Sequence, residues 1–421
     1  MNEKYIVYAG TVGAPGNKAS VSGSGEGVYT FVLDENMHVL RKDPVQICAN
    51  AGIITADPKS QYLYAANETK DFTGLNGSGG GVSAFRIQEN GTLEKVNDSI
   101  SYGARNAYVT ISENGKYLAC ANHGSHSTVT CHYRKNETGE WVLERGFDDS
   151  GVALFNIENG RIGSLLDLIV FDGSGYWCHG GGQSTSHIHC VKFRDDLLFA
   201  CNRGADEIEV MKIVNHRLQI MNRYKTRYGY APRHMDFHPE KKILYVCNEN
   251  YPSVSVYEYK ENGELKERQM MVTMDKSYYV QRPLPFFDRP HALPAEKNNC
   301  GFADRGAAMP ADIHIRADGK FLYVSNRHFL DRGSVCVFAV RDNGLLEKAG
   351  IIALDGKDPR GFTLSEDGRF LLAGMLDQNR IHIYALNETT GMPEKEFPPV
   401  EVPSPASVIF RKMEMICGKN M

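Results

Sequence analysis

Apolar and polar positions alternate with a period of two along "PRHMDFHPEKKILYVCNEN", Pro232–Asn250, in two short runs around a polar turn. This is the pattern of a half-buried strand followed by a more continuously apolar one. Its chemistry gathers at the two ends, with Arg233 and His234 at the start and Asn248 and Glu249 at the finish. The same plan recurs in "GIITADPKSQYLYAANE" from Gly52, "AYVTISENGKYLACANH" from Ala107, "HCVKFRDDLLFACNR" from His189, "ADIHIRADGKFLYVSNR" from Ala311 and "RGFTLSEDGRFLLAGML" from Arg360. A third strand such as "SVSVYEYK" or "GSVCVFAV" follows, and then a turn such as "ENGEL", "DNGLL" or "ENGTL" leads to a fourth. Asn-Gly and Asp-Gly between alternating runs are strong hairpin signals.

The two ends of the chain supply a seventh copy. "ASVIFRK" at Ala406–Lys412 matches only the first strand of the unit, and "KYIVYAG" at Lys4–Gly10 only the second. Pairing them closes the array into a ring and removes the sheet edges that an open array would expose. The expected architecture is therefore all-β: one seven-bladed β-propeller over residues 1–421, with four antiparallel strands per blade and the N- and C-terminal strands paired. At roughly 60 residues per blade the repeat is longer than usual, so some loops must be long. One extra hairpin is expected within Ser127–Asn156, and a long insertion, Ser277–Pro310, enters a first strand with Arg282, Arg289, His291 and Arg305.

In a four-stranded meander the start of the first strand and the end of the second share one rim of the central channel. At first-strand starts the seven units carry Gly52, Ala107, His189, Arg233, Ala311, Arg360 and Ala406; just after second strands they carry Thr11, Glu68, His123, Arg203, Glu249, Arg327 and Leu376. A requirement of the scaffold repeats one residue type, whereas an asymmetric pocket varies it, so these two series mark the candidate site. The preceding Asn67, Asn122, Asn202, Asn248 and Asn326 do repeat, and are read as turn residues bonding their own backbone. His234, His238 and His314 lie off the varied positions and are read as structural.

Composition narrows the partners. A formal net charge of -4 gives no overall reason to expect nucleic acid or an anionic membrane. No apolar run approaches the length of a bilayer span, and the start lacks a leader pattern, so a soluble cytoplasmic protein is expected. Ten cysteines without CxxC spacing signal neither a zinc site nor a disulfide framework. "GTVGAPGNKAS" lacks the Gly-Lys-Ser/Thr ending of a phosphate loop, and neither GxSxG nor HExxH is present. No cofactor or metal is demanded, with calcium near the channel left open. A ring needs no partner to cover its edges, so a monomer is preferred.

On "HCVKF", "APRHMDFHP", "VCNE", "ADIHIRADGKFLYVSNR" and "DPRGFTLSEDGRFLLAG", the chain resembles the lactonase family of seven-bladed propellers over nearly its whole length. The resemblance implies a catalytic cluster of His189, Arg233, Glu249 and Arg327. Arg360, the rim equivalent of Arg233, together with His123 and Arg203, is expected to bind substrate. Where many members have Asp-Arg, this chain has Asp206-Glu207. The implied reaction opens a small anionic lactone, 6-phosphogluconolactone first, with His189 or Glu249 as base and arginines holding the oxyanion and the anionic group. Two alternatives stay open: lactonization or cycloisomerisation of a muconate-type acid, and a non-catalytic propeller that binds a protein or carbohydrate.

Overall fold

The computed structural model describes residues 3–13, 23–75, 77–125, 129–175, 182–275, 308–328 and 331–413. Seven blades of antiparallel strands follow one another around a ring, six as four-stranded sheets and blade 1 with its outer edge split into Val39–Lys42 and Gln46–Ile47, both paired with Gly27–Leu33. Blade 1 is closed as expected: the C-terminal strand Pro405–Lys412 forms its inner edge and pairs with Tyr5–Thr11, so both ends of the chain share one sheet. Blades 2 to 7 run from inner to outer edge in chain order, with inner strands Ala51–Ala56, Asn106–Ile111, Ile188–Arg194, Pro232–Phe237, Ala308–Ile315 and Pro359–Leu364. Blade 3 carries the additional hairpin, Thr130–Lys135 against Trp141–Gly146, between its second and third strands. That hairpin leaves Tyr133 and Trp141 exposed.

Apolar residues on both faces of each sheet are buried because every blade packs against two others. The result is seven separate clusters, one per seam: Val7, Phe31 and Phe410 of blade 1 meet Phe370 and Ile383 of blade 7, for example. Phe199 and Val210 of blade 4 meet Met235 and Tyr257 of blade 5. No cluster crosses the axis, so the channel is left to polar side chains.

Two polar devices lock the seams. The first explains the tyrosines of the "LY" strands and the glycines of the outer turns. Tyr8, Tyr64, Tyr245 and Tyr323, all on second strands, donate their hydroxyls at 2.8–3.0 Å to the carbonyls of Gly91, Gly160, Gly344 and Gly391 in the next blade's outer hairpin turn. Each of those glycines has a φ between 68° and 83°, a conformation that a side chain would strain. The second device links inner strands. Asp236 of blade 5 accepts from Ile315 N of blade 6 at 2.9 Å and from Lys192 Nζ of blade 4 at 3.0 Å. Asp312 of blade 6 accepts from Phe362 N of blade 7 and pairs with His234 of blade 5.

The repeating asparagines are structural, but by a different route from the one expected. Asn67 bonds Ala49 O and Ser83 Oγ, Asn122 bonds Ser101, and Asn248 bonds Ser253 and Ser255. Asn326 bonds Thr273 and Ser334. They join the second strand to the incoming loop and to the third strand; Asn202 alone also receives a local bond, from Ala205 N. His238 accepts from two backbone N–H groups of its own turn, and His314 packs edge-on against Phe362 at 4.7 Å, so both serve the scaffold.

Replacing Tyr245 by Phe removes one seam bond and leaves the Gly344 carbonyl buried. The expected loss is about 1 kcal/mol, read as a lower guanidinium midpoint, with Tyr323→Phe adding a similar decrement because it lies in another seam. An unchanged midpoint would show that these hydroxyls do not hold the blades.

Candidate functional site at the channel mouth

One feature recurs at the mouth end of all seven inner strands: the pairing with the second strand slips. The skipped residues are Gly52, Ala107, His189, Arg233, Arg360 and Ala406, and in blade 6 the pair Ala311–Asp312. Such a bulge leaves its residue outside the ladder and re-aims the side chain. The series read from the sequence as strand starts is therefore a ring of bulges. Around the ring, blades 1 to 3 present Ala406, Gly52 and Ala107, and blades 4, 5 and 7 present His189, Arg233 and Arg360. Space is concentrated on one side of the mouth, and chemistry on the other.

These six residues, with Ile53, Glu68 and His234, enclose a pocket of about 10 Å³, room for roughly one water. Behind the pocket stands Glu249. Its Oε2 accepts from Arg203 Nε, its Oε1 accepts from Arg327 Nη2, and Arg233 Nε lies 3.5 Å from Oε1. Arg203 and Arg233 are only 1% and 2% exposed, so their charges depend on this carboxylate. Burial alone would raise the Glu249 pKa, but Arg203, Arg327 and Arg233 together hold it well below the usual carboxylate range. Burial and the neighbouring Arg327 bring Arg233 down to about 10, against the pull of Glu249, which leaves it charged at neutral pH. Arg233 also donates to Ala311 O, yet its Nε has no hydrogen-bond acceptor among the described residues.

Four imidazoles line up beside this cluster. His187 stacks on His123 at 4.5 Å, His123 meets His189 edge-on at 5.1 Å, and His189 lies 5.1 Å from His234. His187 Nδ1 is 2.8 Å from His123 O, and His234 Nδ1 is 2.9 Å from Asp312 Oδ1. Burial and then cationic neighbours keep three of them neutral. His187 and His234 fall to about 4, and His189 falls well below 6.5 under the further influence of Arg233. Among the described residues no hydrogen bond fixes His189, and its Nδ1 is buried without a partner.

The structure thus gathers His189, Arg233, Glu249 and Arg327 as the sequence implied, and gives the expected substrate contacts different surroundings. Arg203 is committed to Glu249 and to Gly182 O at 2.8 Å, and His123 is buried against His187. Arg360 is the one that reaches the pocket, 3.6 Å from Glu68. Asp206 accepts from Gly229 N and Ala231 N, so it shapes the loop that delivers Arg233. His234 lines the pocket as well as bracing Asp312, which its place off the varied series did not suggest. His187 was missed too; "HIH" before Cys190 carried the signal, two residues from His189. Arg282, Arg289, His291 and Arg305 lie outside the described residues. Among the described residues no three His, Cys, Asp or Glu side chains form a metal-ligand set, and no helix is long and apolar enough to cross a membrane.

The sequence profile of the family described as "Lactonase, 7-bladed beta-propeller" matches residues 7–410. The chain belongs to that family. Among relatives, this lactonase-family propeller is 28% identical over 383 residues to a 6-phosphogluconolactonase of Formosa agariphila, covering 89% of this chain and 91% of the relative. It is 24% identical over 413 residues to the 6-phosphogluconolactonase of Bacillus subtilis, covering 97% and 98%. A solved structure of the periplasmic gluconolactonase PpgL of Pseudomonas aeruginosa superposes with a TM-score of 0.75 at 23% identity, over 97% of this chain and 99% of that one, and so shares the fold.

Two predictions follow from the electrostatics of this propeller's mouth. Glu249→Gln leaves buried guanidinium groups uncompensated and is expected to cost about 3–5 kcal/mol, measured by denaturant unfolding at neutral pH; a near-neutral effect would mean that water, not Glu249, balances them. The second concerns acid. The folded values of His187, His189 and His234 lie below 6.5, so the unfolded chain binds protons first. Their contribution is complete above about 6.5 and is lost as pH falls toward 4, whereas that of Glu249 is lost only below its unfolded value near 4.5. Unfolding midpoints are expected to decline from pH 6.5 downward, with a shallower decline in His187→Gln.

Proposed function

We propose that this propeller hydrolyses a lactone ring at the channel mouth, with 6-phosphogluconolactone as the leading substrate. The observation that carries the reading is a water-sized pocket lined jointly by a neutral imidazole, His189, and two guanidinium groups, Arg233 and Arg360. A lactone needs an activated water and a steadied acyl oxygen, and these groups supply both. The names of the two relatives support a lactone as substrate and, more specifically, its 6-phosphorylated form.

The roles follow from availability. Glu249 has both oxygens engaged by arginines and its pKa is depressed, so it serves as the anchor of Arg203, Arg233 and Arg327 rather than as the base. His189 is neutral and takes the proton from water as the water oxygen bonds to the acyl carbon. Negative charge then grows on the carbonyl oxygen, where Arg233 Nε–H is the donor without a competing hydrogen bond. Collapse of the tetrahedral adduct breaks the ring C–O bond, and the departing alkoxide recovers the proton from His189. A hydroxy acid results. Arg327 holds Glu249 in place, and Arg360 meets the substrate's anionic group through its planar fork.

The test is ring opening of 6-phosphogluconolactone above its spontaneous rate, beside unphosphorylated glucono-lactone. Arg233→Ala is expected to lower kcat/KM by about 10²–10³-fold and His189→Gln by about 10²–10⁴-fold. Equal acceleration by wild type and both variants would remove the assigned roles. No acceleration of any lactone by wild type would favour a binding propeller instead.

A further inference from the structure

The bulge of blade 6 spans two residues, Ala311 and Asp312, where each other blade skips one. Both bear on Arg233. The Ala311 carbonyl accepts directly from Arg233 Nη1. Asp312 acts at one remove: its Oδ1 lies 2.9 Å from His234 Nδ1, and His234 Nε2 lies 3.3 Å from the same Arg233 Nη1. These two neighbours make opposite demands on the ring. A guanidinium N–H can only donate and a carboxylate can only accept, so Nε2 must carry the lone pair and Nδ1 the hydrogen.

The carboxylate is itself firmly held. Its Oδ1 also accepts from Ile313 N at 3.0 Å, and its Oδ2 accepts from Phe362 N at 3.3 Å and lies 3.1 Å from His314 Nε2. Burial alone would raise the Asp312 pKa, but His314 and His234 hold it well below the usual carboxylate range, so it stays an acceptor. Tyr108 meets the His234 ring edge-on at 5.2 Å and His189 lies 5.1 Å away on blade 4, which leaves the ring little room to turn. His314 thus does more than pack on Phe362: it closes the far oxygen of the carboxylate that sets the tautomer of His234.

We infer that His234, oriented by Asp312, is the positioning residue that aims Arg233 at the acyl oxygen, an assignment that rests on the hydrolysis reading above. Arg233 Nη1 has two hydrogens, and Ala311 O and His234 Nε2 take one each. The guanidinium plane is thereby fixed, and Nε–H is left as its donor to the pocket. With the other tautomer, an N–H of His234 would face an N–H of Arg233. The bulge of blade 6 therefore supplies both supports of the catalytic arginine, one through a carbonyl and one through an imidazole.

The first measurement is nitrogen NMR of the full chain with isotope-labelled histidine at neutral pH, the His234 signals being assigned by their loss in His234→Gln. Nδ1 is expected in the protonated, pyrrole-like range and Nε2 in the pyridine-like range; the reverse pattern overturns the inference. The second is ring opening of 6-phosphogluconolactone. His234→Leu, which removes the acceptor, is expected to lower kcat about 10–100-fold with KM little changed, as for loss of one hydrogen bond to a charged group. His234→Gln, whose carboxamide offers one donor and one acceptor as the fixed tautomer does, is expected to recover most of that loss. In an Arg233→Ala background His234→Leu is expected to cost nothing further, because it acts through Arg233. Equal losses in the Leu and Gln variants, with wild-type circular dichroism, overturn the inference, as does a loss that multiplies with that of Arg233→Ala. The nitrogen shifts are read on the wild type, so the test stands even if the leucine variant does not fold. The hydrolysis reading fails separately: a wild type that opens no lactone removes hydrolysis and leaves the nitrogen shifts to decide the orienting role, whereas lactone opening indifferent to His234→Leu removes this inference alone.

Discussion

Guanidinium groups cannot be taken out of water side by side unless a carboxylate stands among them, and Glu249 is the carboxylate that makes the mouth of this channel possible. Arg203, Arg233 and Arg327 come from blades 4, 5 and 6 and converge on its two oxygens. The cost of burying them is met locally rather than by solvent. Burial first, and then the cations of this cluster, keep His189 and His234 neutral, and a neutral imidazole is the form able to accept a proton. In the proposed hydrolysis the anchor, Glu249, and the base, His189, are thus separate groups.

The propeller supplies the geometry that this balance requires. Each blade buries its apolar surface against its neighbours and leaves the axis polar, so the mouth can be varied one blade at a time without disturbing the seams. The bulge at each inner strand is where that variation is expressed. Three small residues in succession make space, and His189, Arg233 and Arg360 use it. Asp236 and Asp312 tie the inner strands of blades 4 to 7, the arc that carries most of the charged groups, so the positions of those side chains are fixed by more than sheet packing.

Much of this was legible in the chain. The period-two runs, the Asn-Gly turns and the split seventh copy determine a ring of seven sheets, because no other arrangement pairs "ASVIFRK" with "KYIVYAG" and leaves no edge. The rim series located His189, Arg233, Glu249 and Arg360 because chemistry breaks a repeat where scaffold preserves it. Depth was not legible. Arg203 and Glu68 occupy equivalent positions in the series, yet one is locked behind the pocket by its bond to Glu249 and the other lines it. Nor does a sequence reveal a bulge: a residue skipped by the ladder looks like any strand residue. The asparagines show the same limit, since a buried amide that bonds a serine on the next strand reads like one that caps its own turn.

The pairing of Tyr5–Thr11 with Pro405–Lys412 has a bearing on synthesis. A ribosome releases the partner of the first strand only after almost the entire chain has emerged, so for most of translation that strand's inner edge has nothing native to bond. The blades can form in order behind it, each using contacts within its own few dozen residues, but the circle stays open until the final segment arrives and threads alongside the oldest one. An unsatisfied edge of this kind invites pairing with neighbouring nascent chains. The same late step that completes the ring thus ends the chain's greatest exposure to aggregation.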